Sequence, residues 1–115
     1  MHASAGLNCV SCHGTMFDLA METRRPYVDE PRCANCHDRA GFQFEPAGVL
    51  FRDASGHGDV QCITCHGGPH AIGPATTQRD NMQAMRLQGE AGVLQDCTVC
   101  HINRPSDPFP HRPED

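Results

Sequence analysis

Apolar side chains are sparse along the chain and occur in short groups. Residues 16–23 have the spacing of about two helical turns, and Pro26 marks the limit of that helix. Residues 77–88 have the period of an amphipathic helix, with Met82 and Met85 on one face and Gly89 as a C-terminal stop. The pattern therefore predicts a few short helices separated by irregular chain.

The intervening segments are rich in proline, glycine and phenylalanine. Residues 26–32, which carry two prolines, predict an extended connector, and residues 105–115, which carry four, predict a tail. Glycines at 56–73 predict a tight loop. The most apolar segment is expected to form a wall beside a bound group and could include a short strand. Its apolar residues are Phe42, Phe44, Val49, Leu50 and Phe51.

Composition indicates that side chains alone cannot fill the interior. The chain has 115 residues, of which 38% are hydrophobic and 5% aromatic, with no Trp. The length predicts one domain over 1–115. The absence of a long apolar run predicts no membrane span, and no leader is recognisable, so we expect any export signal to lie outside this sequence.

The charge balance excludes one class of partner. Nine basic residues, all Arg, stand against 14 acidic residues, which gives a formal net charge of −5. This balance argues against nucleic acid and favours docking on basic protein surfaces.

The eight cysteines determine the candidate chemistry. They form four Cys-x-x-Cys pairs, each followed directly by histidine. Disulfides, zinc sites and thioredoxin-like motifs do not need that histidine. Covalent haem does, because two thiols add to the porphyrin vinyl groups and the histidine binds the iron. We therefore predict four c-type haems attached at Cys9, Cys12, Cys33, Cys36, Cys62, Cys65, Cys97 and Cys100, with iron bound by His13, His37, His66 and His101.

Four haems also explain the thin composition, because side chains would pack on porphyrin rather than on one another. The predicted fold is mainly coil with a few short α-helices wrapped around the haems, and with little or no β-sheet. Haem attachment of this type predicts an exported protein, either periplasmic or at the cell surface.

The four other histidines, His2, His57, His70 and His111, would supply the second axial ligands. Eight histidines for four haems predict bis-His ligation throughout. Two alternatives stay open: His2 and His111, near the termini, could be ordinary surface residues, or a methionine could replace one histidine and raise the reduction potential. The candidate methionines are Met16, Met21, Met82 and Met85, for which packing against haem is the simpler interpretation.

Chain length restricts which haem each histidine can serve. His70 lies four residues after His66, and His57 lies five residues before Cys62. Neither can reach the opposite face of a porphyrin tethered at Cys62 and Cys65, so we expect each to serve a neighbouring haem. His2 could serve its own haem, a neighbour or another molecule.

The stretch GHGDVQCITCHGGPHAI at 56–72, with RDN, LQG and DCTVCH further on, resembles the multihaem c-type cytochromes of respiratory and extracellular electron transfer. The opening GLNCVSCHG and RRPYVDEPRCANCH resemble the same group, so the similarity extends to about residue 101. In that group the histidines of the GHG and GGPH elements are typically distal ligands, which implies this role for His57 and His70. Many members are longer or carry more haems, and some polymerise into filaments whose subunits exchange an axial histidine.

Three functions follow from these observations. The first is an electron relay with redox partner proteins or an extracellular acceptor. The second is a reductase of a small oxyanion with one open haem; a lysine-ligated catalytic haem is excluded because the chain has no Lys. The third is a homo-oligomer or filament in which His2 or His111 ligates a haem of the next subunit.

Overall fold

A computed structural model describes residues 1–111 of the chain. Four short α-helices are distributed along it: α1 (Cys9–His13), α2 (Met16–Ala20), α3 (Cys62–His66) and α4 (Met82–Gln88). Five 3₁₀ turns accompany them, at Ala3–Ala5, Cys33–Asn35, Phe51–Asp53, Arg79–Asn81 and Cys97–Val99. The rest of residues 1–111 is turns and coil apart from one small hairpin. The predicted fold of coil with a few short helices is confirmed.

The hairpin is the only sheet among the described residues. Strands β1 (Ser55–His57) and β2 (Val60–Gln61) are antiparallel, with Ser55 opposite Gln61 and His57 opposite Val60. Gly58 turns the chain with a φ of 57°, a value that glycine adopts without strain. The hairpin leads directly into α3, so it fixes His57 beside the third cysteine pair.

Two predicted segments have different forms in the structure. Helix α2 ends at Ala20 rather than continuing to residue 23, because Met21 is extended (φ −62°, ψ 134°). Residues 26–29 form a turn rather than an extended connector. The Asp29 carboxylate accepts a hydrogen bond from the Arg25 backbone N–H (2.7 Å) and pairs with its guanidinium (2.9 Å), which closes this turn.

The Phe-rich segment 42–51 contains no strand. Phe42 and Phe44 lie in coil with their ring centroids 6.4 Å apart, and Phe51 begins a 3₁₀ turn. By contrast, the predicted 77–88 helix is largely present, as the Arg79–Asn81 turn followed by α4, and it ends at Gly89 in the left-handed conformation (φ 84°).

The described chain has almost no side-chain core. Among residues 1–111, only Phe51 and Ala54 are buried apolar residues, whereas Met16 and Phe17 are more than three-quarters exposed. The radius of gyration is 15.6 Å, against about 13 Å for a compact chain of this length. The accessible surface is 8601 Å², against roughly 6,200 Å² expected for 12.5 kDa. The polypeptide is therefore an open frame.

Candidate haem-attachment sites

Each Cys-x-x-Cys-His motif begins as a helical turn. The first motif is α1 and the third is α3, while 3₁₀ turns form the start of the second (33–37) and the fourth (97–101). In the last two, the histidine N–H donates to the first cysteine's carbonyl, at 2.8 Å for His37 and 2.9 Å for His101. Residues three apart share a face of a helical turn, so both thiols of a motif lie on one side. We call these motifs the first to fourth sites.

Acidic or amide side chains cap three of the four turns. Asn8 accepts from the Ser11 N–H (3.2 Å) at the first site, and Asp96 accepts from the Thr98 N–H (3.0 Å) at the fourth. These caps are local in sequence. At the second site the cap is Glu45, from beyond the motif, which accepts from the N–H groups of Cys33 (2.7 Å) and Ala34 (3.2 Å). Such caps satisfy N–H groups that have no partner inside a turn.

The eight histidines lie in four pairs, each combining one motif histidine with one of the other four. The ring centroids are 5.8–6.3 Å apart. The pairs are His13 with His70, His37 with His2, His66 with His111, and His101 with His57.

This spacing fits a metal ion between the two rings. Rings that bind one ion from opposite sides, with bonds of about 2 Å and ring radii of about 1.1 Å, have centroids roughly 6 Å apart. Among residues 1–111, no three His, Cys, Asp or Glu side chains are grouped around a common metal position. The spacing is that expected for axial pairs.

The pairs connect distant parts of the chain. His70 faces the first site rather than the third, and His57 faces the fourth. His2 faces the second site and His111 the third. Both terminal histidines thus lie beside a motif histidine of the same chain.

The main-chain N–H and carbonyl of Gln43 both contact His111 and hold it in place. The Gln43 N–H donates to the His111 carbonyl (2.8 Å), and the His111 Nδ1 lies 3.3 Å from the Gln43 carbonyl oxygen. A proton on Nδ1 would leave Nε2 for a metal, the arrangement usual for ligating histidines. The T-shaped contact between Phe42 and Phe109, with centroids 4.8 Å apart, anchors the same segment. The predicted tail is therefore attached up to residue 111, and residues 112–115 lie outside the description.

His57 carries a buried polar atom without a partner. Its Nδ1 has no hydrogen-bond partner among the described residues. Buried polar groups are nearly always paired, so an unpaired one indicates that the polypeptide alone does not supply every group of this site. Its position opposite His101 fits a bound cofactor there.

The third site lies between the second and the fourth. The pKa of Cys65 is raised by burial and by Cys100 of the fourth site, whereas Cys62 is close enough to Cys33 of the second site to help raise that thiol's pKa. The Leu94 N–H, on the segment before the fourth site, donates to the Cys65 carbonyl (3.0 Å). Burial, then the neighbouring His111, lowers the pKa of His66, which favours the neutral imidazole that a metal requires.

Two aromatic rings fill the space between the second and third pairs. Phe44 stacks near His37 (centroids 6.4 Å) and lies 6.5 Å from His111, while Phe42 lies 5.1 Å from His111. Sequence reasoning assigned these phenylalanines to a haem wall without locating them. It missed Glu45 and Gln43, whose roles depend on contacts between segments and leave no local signal in the sequence.

These observations together test whether the residues fit covalent haem. Paired thiols lie beside a motif histidine at each site, a second histidine faces each motif histidine, and the open frame leaves apolar surface for a large ring to cover. The donor set fits the group. No helix within residues 1–111 is long and apolar enough to cross a membrane.

Comparison with known proteins agrees with this chemistry. The family model described as cytochrome c7 and related cytochrome c matches residues 25–102. The match includes the second, third and fourth sites together with His57 and His70, whereas the first site, His2 and His111 lie outside it. No curated protein and no solved structure matches the chain. Since the family model covers well over half of the sequence, the chain belongs to the family of cytochrome c7 and related c-type cytochromes, multihaem proteins of electron transfer.

Proposed function

We propose that this chain is a self-contained tetrahaem cytochrome that relays electrons by hopping between four bis-His haems. One observation carries the proposal: each of the four motif histidines faces one of the four remaining histidines, with centroids 5.8–6.3 Å apart. The family supports the multihaem electron-transfer chemistry. The count of four and the ligand pairs are our inference.

The polypeptide would act through position and electrostatics. Bound haem supplies an iron that accepts and returns one electron. The cysteine pairs would hold each ring at two points, and the histidine pairs would occupy both axial positions, which leaves no open position for a substrate. This pairing would also link the sites to one another, because each non-motif histidine lies nearest in sequence to one site and would bind the haem of a different one.

The positions of the two terminal histidines support ligation within one chain, without exchange of axial histidines between protein molecules. His2 and His111 each face a histidine of the same chain. We therefore propose that any oligomer or filament forms by surface contact rather than by shared axial histidines. We also propose export to the periplasm or cell surface, because thioether attachment of haem occurs outside the cytoplasm, and redox partners with basic docking surfaces, because the chain is acidic.

Four measurements on the purified holoprotein test the proposal. Intact mass and the pyridine haemochrome assay should give four haems per chain, and the oxidised spectrum should be entirely low-spin. Cyanide should leave that spectrum unchanged, because no axial position is open. Fewer haems would contradict the count, and a cyanide-sensitive fraction would contradict full bis-His ligation and favour the oxyanion reductase.

A further inference from the structure

Glu45 is the one charged residue that the structure buries within residues 1–111. It is 5% exposed, and its carboxylate oxygens accept the Cys33 and Ala34 N–H groups at 2.7 and 3.2 Å. No cation of the described residues forms an ion pair with it. The Arg32 guanidinium instead donates to the main-chain carbonyls of Glu45 and Pro46. The negative charge is thus stabilised by backbone dipoles and is not neutralised.

The carboxylate is ionised despite its burial. Burial opposes its charge, but hydrogen bonds from the backbone of Cys33 and Ala34 hold the pKa of Glu45 below its ordinary value. An anion at this depth is only weakly screened by solvent, so its field extends to neighbouring groups.

Two attachment sites experience that field. Burial and then Glu45 raise the pKa of the Cys33 thiol to about 12, and burial and then Glu45 also raise the pKa of Cys62. Cys33 belongs to the second site and Cys62 to the third. The geometry agrees: a β-carbon at Gly56 would lie 3.8 Å from the Gln43 carbonyl oxygen and 3.9 Å from the Cys62 Sγ, so the segment that carries Glu45 borders both sites.

We propose that Glu45 lowers the reduction potential of the haem attached at Cys33 and Cys36 and, by a smaller amount, that of the haem attached at Cys62 and Cys65. The inference rests on the proposed function. Reduction adds one electron to the haem iron, and a buried anion nearby makes that addition less favourable. Haem attachment turns the Cys33 sulfur into a thioether without a proton to donate, whereas both backbone donors to Glu45 remain.

A purely structural role is the competing explanation, since Glu45 also caps the 33–35 turn. The fourth site offers a matched control: Asp96 caps the 97–99 turn in the same way, but its side chain is exposed. Glu45→Gln and Asp96→Asn each remove one charge from a capping carboxylate. Only the first removes a buried charge.

The experiment is a potentiometric titration of the four-haem protein, with individual haems followed by NMR. In Glu45→Gln, the reduction equilibrium constant of the second-site haem should rise about tenfold, equivalent to about 59 mV for one electron. The third-site haem should shift less. Glu45→Asp, which keeps the charge, and Asp96→Asn should both titrate close to the wild type.

A Glu45→Gln protein with four low-spin haems and unshifted potentials would overturn the inference and leave the proposed function intact. Equal shifts in Glu45→Gln and Asp96→Asn would also overturn it, since burial would then have no effect. If the Glu45→Gln protein does not fold with its four haems attached, the infrared difference spectrum between oxidised and reduced wild-type protein tests the inference instead. Labelling with ¹³C-glutamate should shift a redox-sensitive carboxylate band, and the absence of any label-sensitive band contradicts the proposal.

Discussion

The position of His70 follows from a short loop that turns away from its own site. Gly73 donates its N–H to the His66 carbonyl (2.9 Å), and Ala71 donates to the Gly68 carbonyl (2.9 Å). This tight turn directs the His70 ring toward His13, with centroids 6.3 Å apart. A single residue near the third site thereby faces the motif histidine of the first.

Replacing His70 tests this crossed pairing. In His70→Ala, one haem should become high-spin and bind cyanide, because its sixth ligand is lost. That haem should be the one attached at Cys9 and Cys12. In His70→Met, the same haem should stay low-spin with a raised potential, because thioether ligation favours the reduced iron.

The assignment can be checked in a protein that lacks the first haem through Cys9→Ser and Cys12→Ser. There, His70→Ala should leave the three remaining haems low-spin and insensitive to cyanide. A high-spin signal that persists in this background would assign His70 to a different site.

Glu45 also predicts an acid dependence of stability. Its pKa in the folded protein lies below the ordinary 4.5, so its contribution to stability is fully present above about pH 4.5 and is lost as pH falls further. Glu45→Gln should cost about 2 kcal/mol at neutral pH, the worth of hydrogen bonds to a buried charge. Denaturant titrations at pH 7 and pH 3 should show the difference from wild type shrinking at the lower pH. A difference that stays constant would contradict the assignment.

The two motif helices α1 and α3 each end before a glycine that sets the direction of the following chain. Both α1 and α3 are followed by glycine with positive φ, at Gly14 (80°) and Gly67 (81°), so the chain turns sharply after the histidine. A β-carbon at Gly67 would lie 3.2 Å from the Ala71 carbonyl oxygen. The end of α3 therefore requires glycine both for its backbone angle and for space.

Two adjacent glycines allow a matched test at this element. Gly67→Ala should destabilise the holoprotein by about 1–3 kcal/mol, the cost of a non-glycine residue in such a conformation. Gly68→Ala should be close to neutral, because no atom lies within 4 Å of its β-carbon position. Thermal unfolding followed through haem absorbance measures both. Equal losses in the two variants would show that the conformation at Gly67 is not the cause.

At the scale of the whole molecule, the frame has too few buried side chains to fold alone. Phe51 and Ala54 are the buried apolar residues of the described chain, and their burial cannot offset the loss of conformational entropy on folding. Haem would supply the missing apolar surface.

The chain without haem is therefore expected to be unfolded. Protein produced where haem is not attached should give a poorly dispersed NMR spectrum and a thermal transition without cooperativity. The holoprotein, measured in the same buffer, is the control and should be well dispersed and cooperative. A sigmoidal transition in the haem-free chain would mean that the polypeptide specifies its own core.

The sequence by itself predicted covalently bound haem, which the family match supports. Each thiol pair is followed directly by histidine, and this motif can be recognised locally because attachment requires only five consecutive residues. The sequence also predicted a helix over 77–88, which the structure forms over 79–88, and a shortage of buried side chains. Both could be predicted because helical period is a local property and composition is a sum over the chain. The tether lengths around the third site also predict that His57 and His70 serve haems of other sites.

Only the tertiary structure decided which histidines face one another and where the buried charge lies. His2 and His37 are 35 residues apart in sequence, and nothing local marks them as partners. Glu45 caps a turn that begins 12 residues earlier, and Gln43 holds a histidine 68 residues further along. Such contacts depend on how the coil segments cross in space, and coil has no sequence period from which that crossing can be read.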